Sequence, residues 1–130
     1  MKLVIDANIL FSALISPANN TASTIFFGSH ELIAPAYLLD EIEEHKPELL
    51  KKSKLSADEL NTVLGLLLSK IQMSEPVKIS PNLISKCPDP DDVAYFALGI
   101  SQKCAIWSND KKLKNQNVVK VISTSELLEK

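Results

Sequence analysis

The residues equipped for chemistry in this chain are carboxylates, and they cluster at a few points. Asp6 directly follows Leu3-Val4-Ile5, and Asp110 follows Ile106-Trp107-Ser108-Asn109. Asp89, Asp91 and Asp92 crowd around Pro90, and Glu41 and Glu44 lie downstream of Glu31-Leu32-Ile33-Ala34. Each has an ordinary structural role open to it. Asp6 and Asp110 can cap the helices that follow them, since Asp is a favoured N-cap. Asp89 at N-cap, Pro90 at N1, and Asp91 and Asp92 in the positive first turn also make a good helix start. Glu41, Glu43, Glu44 and Glu48 can form a solvated helix face. Three or four of these acids gathered in one place would behave differently. They would repel, raise one another's pKa, and be stable together when a cation holds them. Oxygen donors without a paired His or Cys point to Mg²⁺ or Mn²⁺ rather than zinc, and such an ion at an acidic edge handles phosphates.

The other reactive side chains carry less. His30 and His45 are isolated, and Cys87 and Cys104 lack metal-ligand spacing, so they read as small apolar side chains in a reducing compartment. The chain has 130 residues, 45% apolar and 23% charged, a composition that excludes a disordered or collagen-like chain. Its length fits a single domain over 1–130. No apolar run reaches the roughly 18–20 residues that span a bilayer. The first acid at Asp6 comes too early for a signal peptide, so a cytoplasmic protein without a membrane partner is expected. Net charge is −2, and all 14 cations are lysine. Without arginine there is no bidentate reader of guanine or phosphate, so nucleic-acid contact must come from lysines, backbone amides or a bound metal.

The elements that must position the acids follow from apolar patterning. Leu3-Val4-Ile5 reads as a buried strand. Residues 8 to about 28 read as helix, interrupted by a turn at Ser16-Pro17-Ala18-Asn19-Asn20. Residues 31–34 read as a second strand closed by Pro35. A helix over 36 to about 53 follows, in which Pro47 is expected to break or kink it into two pieces. Ser56 and Glu59 have capping-box spacing. Leu60, Val63, Leu64, Leu67, Leu68 and Ile71 then form one apolar stripe, which serves a monomer core or a homodimer face equally well. Val77-Lys78-Ile79 reads as a third strand and 81–86 as a weak helical turn. Residues 89 to about 103 read as a helix packed through Val93, Ala94, Phe96, Ala97 and Ile100. Residues 105–107 make a fourth strand, 111–115 a short helix and 118–122 a fifth strand. Ser123 and Glu126 repeat the capping box before a final helix. Strands alternating with helices specify an α/β domain with a mainly parallel sheet and helices on both faces. Ligands in such folds bind beyond the carboxyl ends of the strands. With the first and fourth strands adjacent, Asp6, Asp110 and the Asp89 cluster would meet there, and the 36–53 helix would bring Glu41 or Glu44 to the same edge.

Four short motifs, in order and spread over essentially the whole chain, resemble those of PIN-domain nucleases. Leu3-Val4-Ile5-Asp6-Ala7-Asn8 is similar to the opening motif, and Pro35-Ala36-Tyr37-Leu38-Leu39-Asp40-Glu41-Ile42 to the second. Asp89-Pro90-Asp91-Asp92-Val93-Ala94-Tyr95-Phe96-Ala97-Leu98 is similar to the third, and Ser108-Asn109-Asp110-Lys111-Lys112-Leu113 to the fourth, with Ser108 in place of the commoner threonine. The resemblance implies a five-stranded sheet of order 3-2-1-4-5 and a Mg²⁺- or Mn²⁺-dependent phosphodiesterase acting on RNA. It implies a catalytic and metal-binding quartet of Asp6, Glu41, Asp92 and Asp110. Glu44 is a rival to Glu41, and Asp91 can exchange roles with Asp92. Asn8 and Ser108 would support the site, and Lys111, Lys112 and Lys114 would contact the RNA backbone, unless they are only a solvated face. The resemblance also admits the toxin half of a toxin–antitoxin pair, with an antitoxin covering the site, and a homodimer. The alternative is a non-catalytic PIN-like module that binds RNA or protein. An aspartyl-phosphate phosphohydrolase would need an acid where Asn8 stands. A receiver domain would need an Asp after Val77-Lys78-Ile79.

Overall fold

A computed structural model describes residues 1–16 and 20–129. Its five strands are β1 (Lys2–Ile5), β2 (Glu31–Pro35), β3 (Ile71–Ser74), β4 (Ala105–Trp107) and β5 (Val121–Ile122). All neighbours pair in parallel, in the order β3-β2-β1-β4-β5. β1 is central because its three apolar residues are wholly buried, as a strand covered on both faces must be. Leu3 pairs with Leu32 on one side and Ala105 on the other, which makes β1 and β4 direct neighbours.

The helices are α1 (Ala7–Ile15), α2 (Asn20–Phe27), α3 (Tyr37–Ser53), α4 (Ala57–Leu68), α5 (Pro81–Ile84), α6 (Val93–Gln102) and α7 (Thr124–Leu128). α1 packs with α2, α3 and α4, while α6 lies against β1, β2 and β4. Leu10, Leu38, Leu60, Leu67, Phe96 and Trp107 belong to one buried cluster that joins both groups to the sheet. The expected turn at 16–20 falls mainly on residues 17–19, outside the described residues.

Several boundaries differ from the sequence reading, each for a physical reason. Pro47 does not divide α3, which runs unbroken from Tyr37 to Ser53. Pro47 and Glu43 are both exposed, so the Glu43 carbonyl left without its amide partner faces water. The third strand is Ile71–Ser74, and residues 77–79 are irregular. The chain turns at Ser69-Lys70, so Ile71 leaves the α4 stripe and enters the sheet beside Leu32. Leu60, Leu64 and Leu67 of that stripe are buried within this chain. The fifth strand is cut to Val121–Ile122 because Gln116 occupies the preceding amides: its Oε1 accepts from Val118 N at 2.8 Å and Val119 N at 2.9 Å. α6 buries Tyr95, Leu98 and Gly99 besides Phe96 and Ala97, so its covered surface is wider than the expected stripe. Both capping boxes form, at Ser56 with Glu59 and Ser123 with Glu126.

Candidate active site

Asp6 stands where β1 ends, and the Asp6 amide donates to the Trp107 carbonyl at 3.1 Å, tying the ends of β1 and β4 together. It occupies the N-cap position of α1, yet its side chain makes no capping bond. Its Oδ2 instead accepts from the Ser108 hydroxyl at 2.7 Å. Ser108, fully buried one residue past β4, accepts in turn from the Asp110 amide at 3.0 Å. One hydroxyl therefore fixes two acids from two different strand ends, and the two-residue spacing between Ser108 and Asp110 is what lets it do so. Asp6 is itself 3% exposed. Burial pushes its pKa up and the Asp110 charge adds to this, while Ser108 and the amides of Asn8 and Ala7 pull it back. Asp110 Oδ1 also accepts from the Lys112 amide at 2.9 Å, opening a 3₁₀ turn at Lys112–Lys114.

Asp92 arrives from the other side, at the end of a 3₁₀ turn, Pro90–Asp92, that leads into α6. Asp89 performs the capping, accepting from the Asp91 amide at 3.0 Å, which leaves Asp92 free of that duty. Its Oδ2 is buried without a hydrogen-bond partner among the described residues. Burial first, then the charges of Asp6, Asp110 and Asp89, raise its pKa to about 7, and a hydrogen bond shared with Asp110 favours the protonated form further. An orphaned buried oxygen facing two other acids costs free energy unless something positive meets it.

Glu41 comes from the first turns of α3. It is half-buried, and its carboxylate accepts from the hydroxyl of Tyr95, a residue 1% exposed on α6. Burial raises its pKa and Asp6 adds to the rise, whereas Tyr95 and His45 oppose it. Glu44, one helical step away, is exposed, as are Asp91 and Asn8. The structure thus draws Asp6, Asp92 and Asp110 together with Glu41 beside them, and leaves Glu44, Asp91 and Asn8 outward. Lys111, Lys112 and Lys114 are exposed; Lys112 approaches Asp89 at 3.8 Å, and Lys114 pairs with Glu126.

Tyr95 is the residue that reading the sequence missed. The signal was present: a buried aromatic with a hydroxyl needs a polar partner, and Tyr95 lies one helical turn after Asp92. His45 is structural, with Nδ1 against the Glu41 carbonyl at 2.9 Å and its ring 5.1 Å from Phe11.

Among the described residues no three His, Cys, Asp or Glu side chains form a ready-made direct cage for a metal. A magnesium-type ion does not need one, because it keeps several waters and takes only one or two carboxylates. The all-oxygen donor set and the orphaned Asp92 Oδ2 fit such a hard cation, which Asp6, Asp92, Asp110 and Glu41 would hold, one or two directly and the rest through its waters.

The parallel 3-2-1-4-5 sheet gathers acids at the carboxyl ends of β1 and β4, where α/β folds bind their ligands. The family model for the PIN domain matches residues 4–128, and the chain belongs to that family. A search of curated proteins finds no match to it. Among the described residues no helix is long and apolar enough to cross a membrane.

Proposed function

We propose that this single domain is a ribonuclease that hydrolyses RNA phosphodiesters with Mg²⁺ or Mn²⁺ at the acidic cluster. The observation that carries the reading is Asp92: its Oδ2 has no partner among the described residues, and the charges of Asp6 and Asp110 bear on it. When bound, the ion supplies neutralisation of phosphate charge and acidification of a water. The chain's own residues set the frame. Ser108 fixes the Asp6 carboxylate and the Asp110 backbone, so these acids meet substrate without reorganising. Glu41, anchored by Tyr95, orients a water toward phosphorus for in-line attack, leaving 5′-phosphate and 3′-hydroxyl ends. Lys111 and Lys112 meet the RNA backbone from the flank. The cytoplasm is the matching compartment. The toxin role in a toxin–antitoxin pair fits the same site, with an antitoxin as the covering partner, and a homodimer is compatible with the exposed Leu66 and Phe27.

The test is cleavage of a mixed single-stranded and structured RNA pool in EDTA, Mg²⁺ or Mn²⁺, alongside Asp6→Asn and Asp92→Asn. Metal-dependent cutting lost in both variants supports the reading. Absence of both cutting and metal binding would replace it with the non-catalytic PIN-like module.

A further inference from the structure

Beside the acidic cluster lies an apolar groove of about 520 Å³, a volume within the range of small-ligand sites. Val93, Ala94 and Ala97 from the start of α6 line it, together with Tyr37 and the irregular residues 75–79. The groove joins the acid cluster at two points. Val93 directly follows Asp92, and Tyr37 precedes Glu41 by one helical turn, close enough that the charges of Glu41 and Asp91 act on its phenol. Tyr37 also packs edge-on against Tyr95, ring centroids 6.4 Å apart, and Tyr95 is the residue that holds Glu41. A group in the groove is therefore a neighbour of whatever the acids hold.

Three features select the occupant. Tyr37 keeps 38% of its surface exposed, an aromatic ring open to contact. Val77, Lys78 and Ile79 line the groove as irregular chain, and their backbone groups have no hydrogen-bond partner among the described residues. Lys78 adds a cation to the lining, where Glu75 is the carboxylate. An aromatic surface, an unpaired backbone edge and a cation suit a heterocyclic base carried on a phosphate chain. An apolar helix would cover the floor and leave those backbone groups unpaired. Composition adds a fourth argument. A chain of net charge −2 without arginine has little general attraction for a polyanion, so affinity must come from local contacts with bases.

We propose that this groove binds one unpaired nucleobase of single-stranded RNA, adjacent to the phosphate at the acid cluster. The base stacks on Tyr37, and its edge meets the backbone of residues 77–79. This deepens the ribonuclease reading and rests on it for the identity of the neighbouring phosphate. A paired base has its faces and Watson–Crick edge already occupied, so the groove selects single strands and loops.

The experiment uses RNA decamers in which one 2-aminopurine is moved along the chain, titrated with the full-length protein in Ca²⁺ and again in Mn²⁺. Stacking quenches the probe directly, whether or not the RNA is cut. One position should be quenched on binding. Tyr37→Ala should abolish that quench and weaken binding on the order of tenfold, and Tyr37→Phe should retain both. Ile79→Glu, at another lining residue, places a carboxylate in the groove and should weaken binding independently of any effect of Tyr37→Ala on folding. Cleavage in Mn²⁺ with no quenched position overturns the base site and leaves the ribonuclease reading standing. Quenching that depends on Tyr37, with neither cleavage nor metal binding, supports the base site and removes the ribonuclease reading. RNA binding indifferent to Tyr37 and Ile79, or no RNA binding, overturns the proposal.

Discussion

Asp92→Asn should make the metal-free protein more stable at pH 8. The replacement keeps the side chain's shape, removes its charge, and lets an amide donate to Asp110 as the protonated acid does. In the folded chain burial and the neighbouring acids lift the Asp92 pKa from 3.8 to about 7. A folded-state pKa above the unfolded one means that the native state holds the proton more tightly. The Asp92 contribution to stability is therefore greatest below about 3.8, falls as pH rises through the interval to about 7, and is lost completely above it. At about 1.4 kcal/mol per pH unit the full rise corresponds to ~4 kcal/mol. Asp92 is only half-buried, and solvent screening reduces this to about 1–2 kcal/mol. For a domain of this size that is a Tm difference of roughly 3–10 °C. Thermal melts in EDTA from pH 5 to pH 9 read it directly. The wild type should lose Tm across the interval relative to Asp92→Asn, and the variant should melt higher at pH 8. Millimolar Mn²⁺ should then raise the wild-type Tm at pH 8 and leave the variant nearly unmoved. A variant that melts below wild type at pH 8 in EDTA would refute the reasoning, because Asp92 would then be stabilised by a partner instead of strained by its neighbours.

Other perturbations bear on the same architecture. Ser108→Ala removes the donor to Asp6 and the acceptor for the Asp110 amide, and should cost about 1–3 kcal/mol in denaturant melts; Ser108→Thr, which keeps the hydroxyl, should lose less. Tyr95→Phe strips one hydroxyl from a buried ring and leaves Glu41 without its donor, so kcat on RNA should fall by about tenfold with little change in KM. In a Glu41→Gln background the same change should cost nothing further, since the two act as one unit. Leu67→Ala should cost about 2–5 kcal/mol, because Leu67 is wholly buried. Leu66→Ala, one position along the same helix and 55% exposed, should stay within about 0.5 kcal/mol, and urea melts of the pair measure the difference.

The sheet was legible because its pattern is dense and its spacing regular. Short apolar runs separated by helical segments specified parallel strands, and both capping boxes marked their helix starts from two residues each. The third strand was not legible, because Ile71 continues the apolar period of α4 and nothing local shows that the chain turns at Ser69-Lys70. A strand is defined by its partner, and β3 exists because Ile71 finds Leu32 across the ladder. The truncation of β5 has a similar origin: one Gln side chain takes amides that would otherwise join the ladder.

The candidate site divides along the same line. The sequence by itself determined which residue types were present, that Asp6 and Asp110 followed apolar runs, and that Glu41 or Glu44 and Asp91 or Asp92 stood near the same edge. These follow from spacing, which fixes neighbours along one helix or strand. Tertiary structure alone decided which of each pair turns inward: Glu41 meets Tyr95 while Glu44 is exposed, and Asp92 is half-buried while Asp91 is exposed. It also decided that Asp6 bonds to Ser108 across 102 positions of chain instead of capping its own helix. At 3.6 residues per turn Glu41 and Glu44 differ by only roughly sixty degrees around α3, and only the elements packed against a helix determine which direction is the interior.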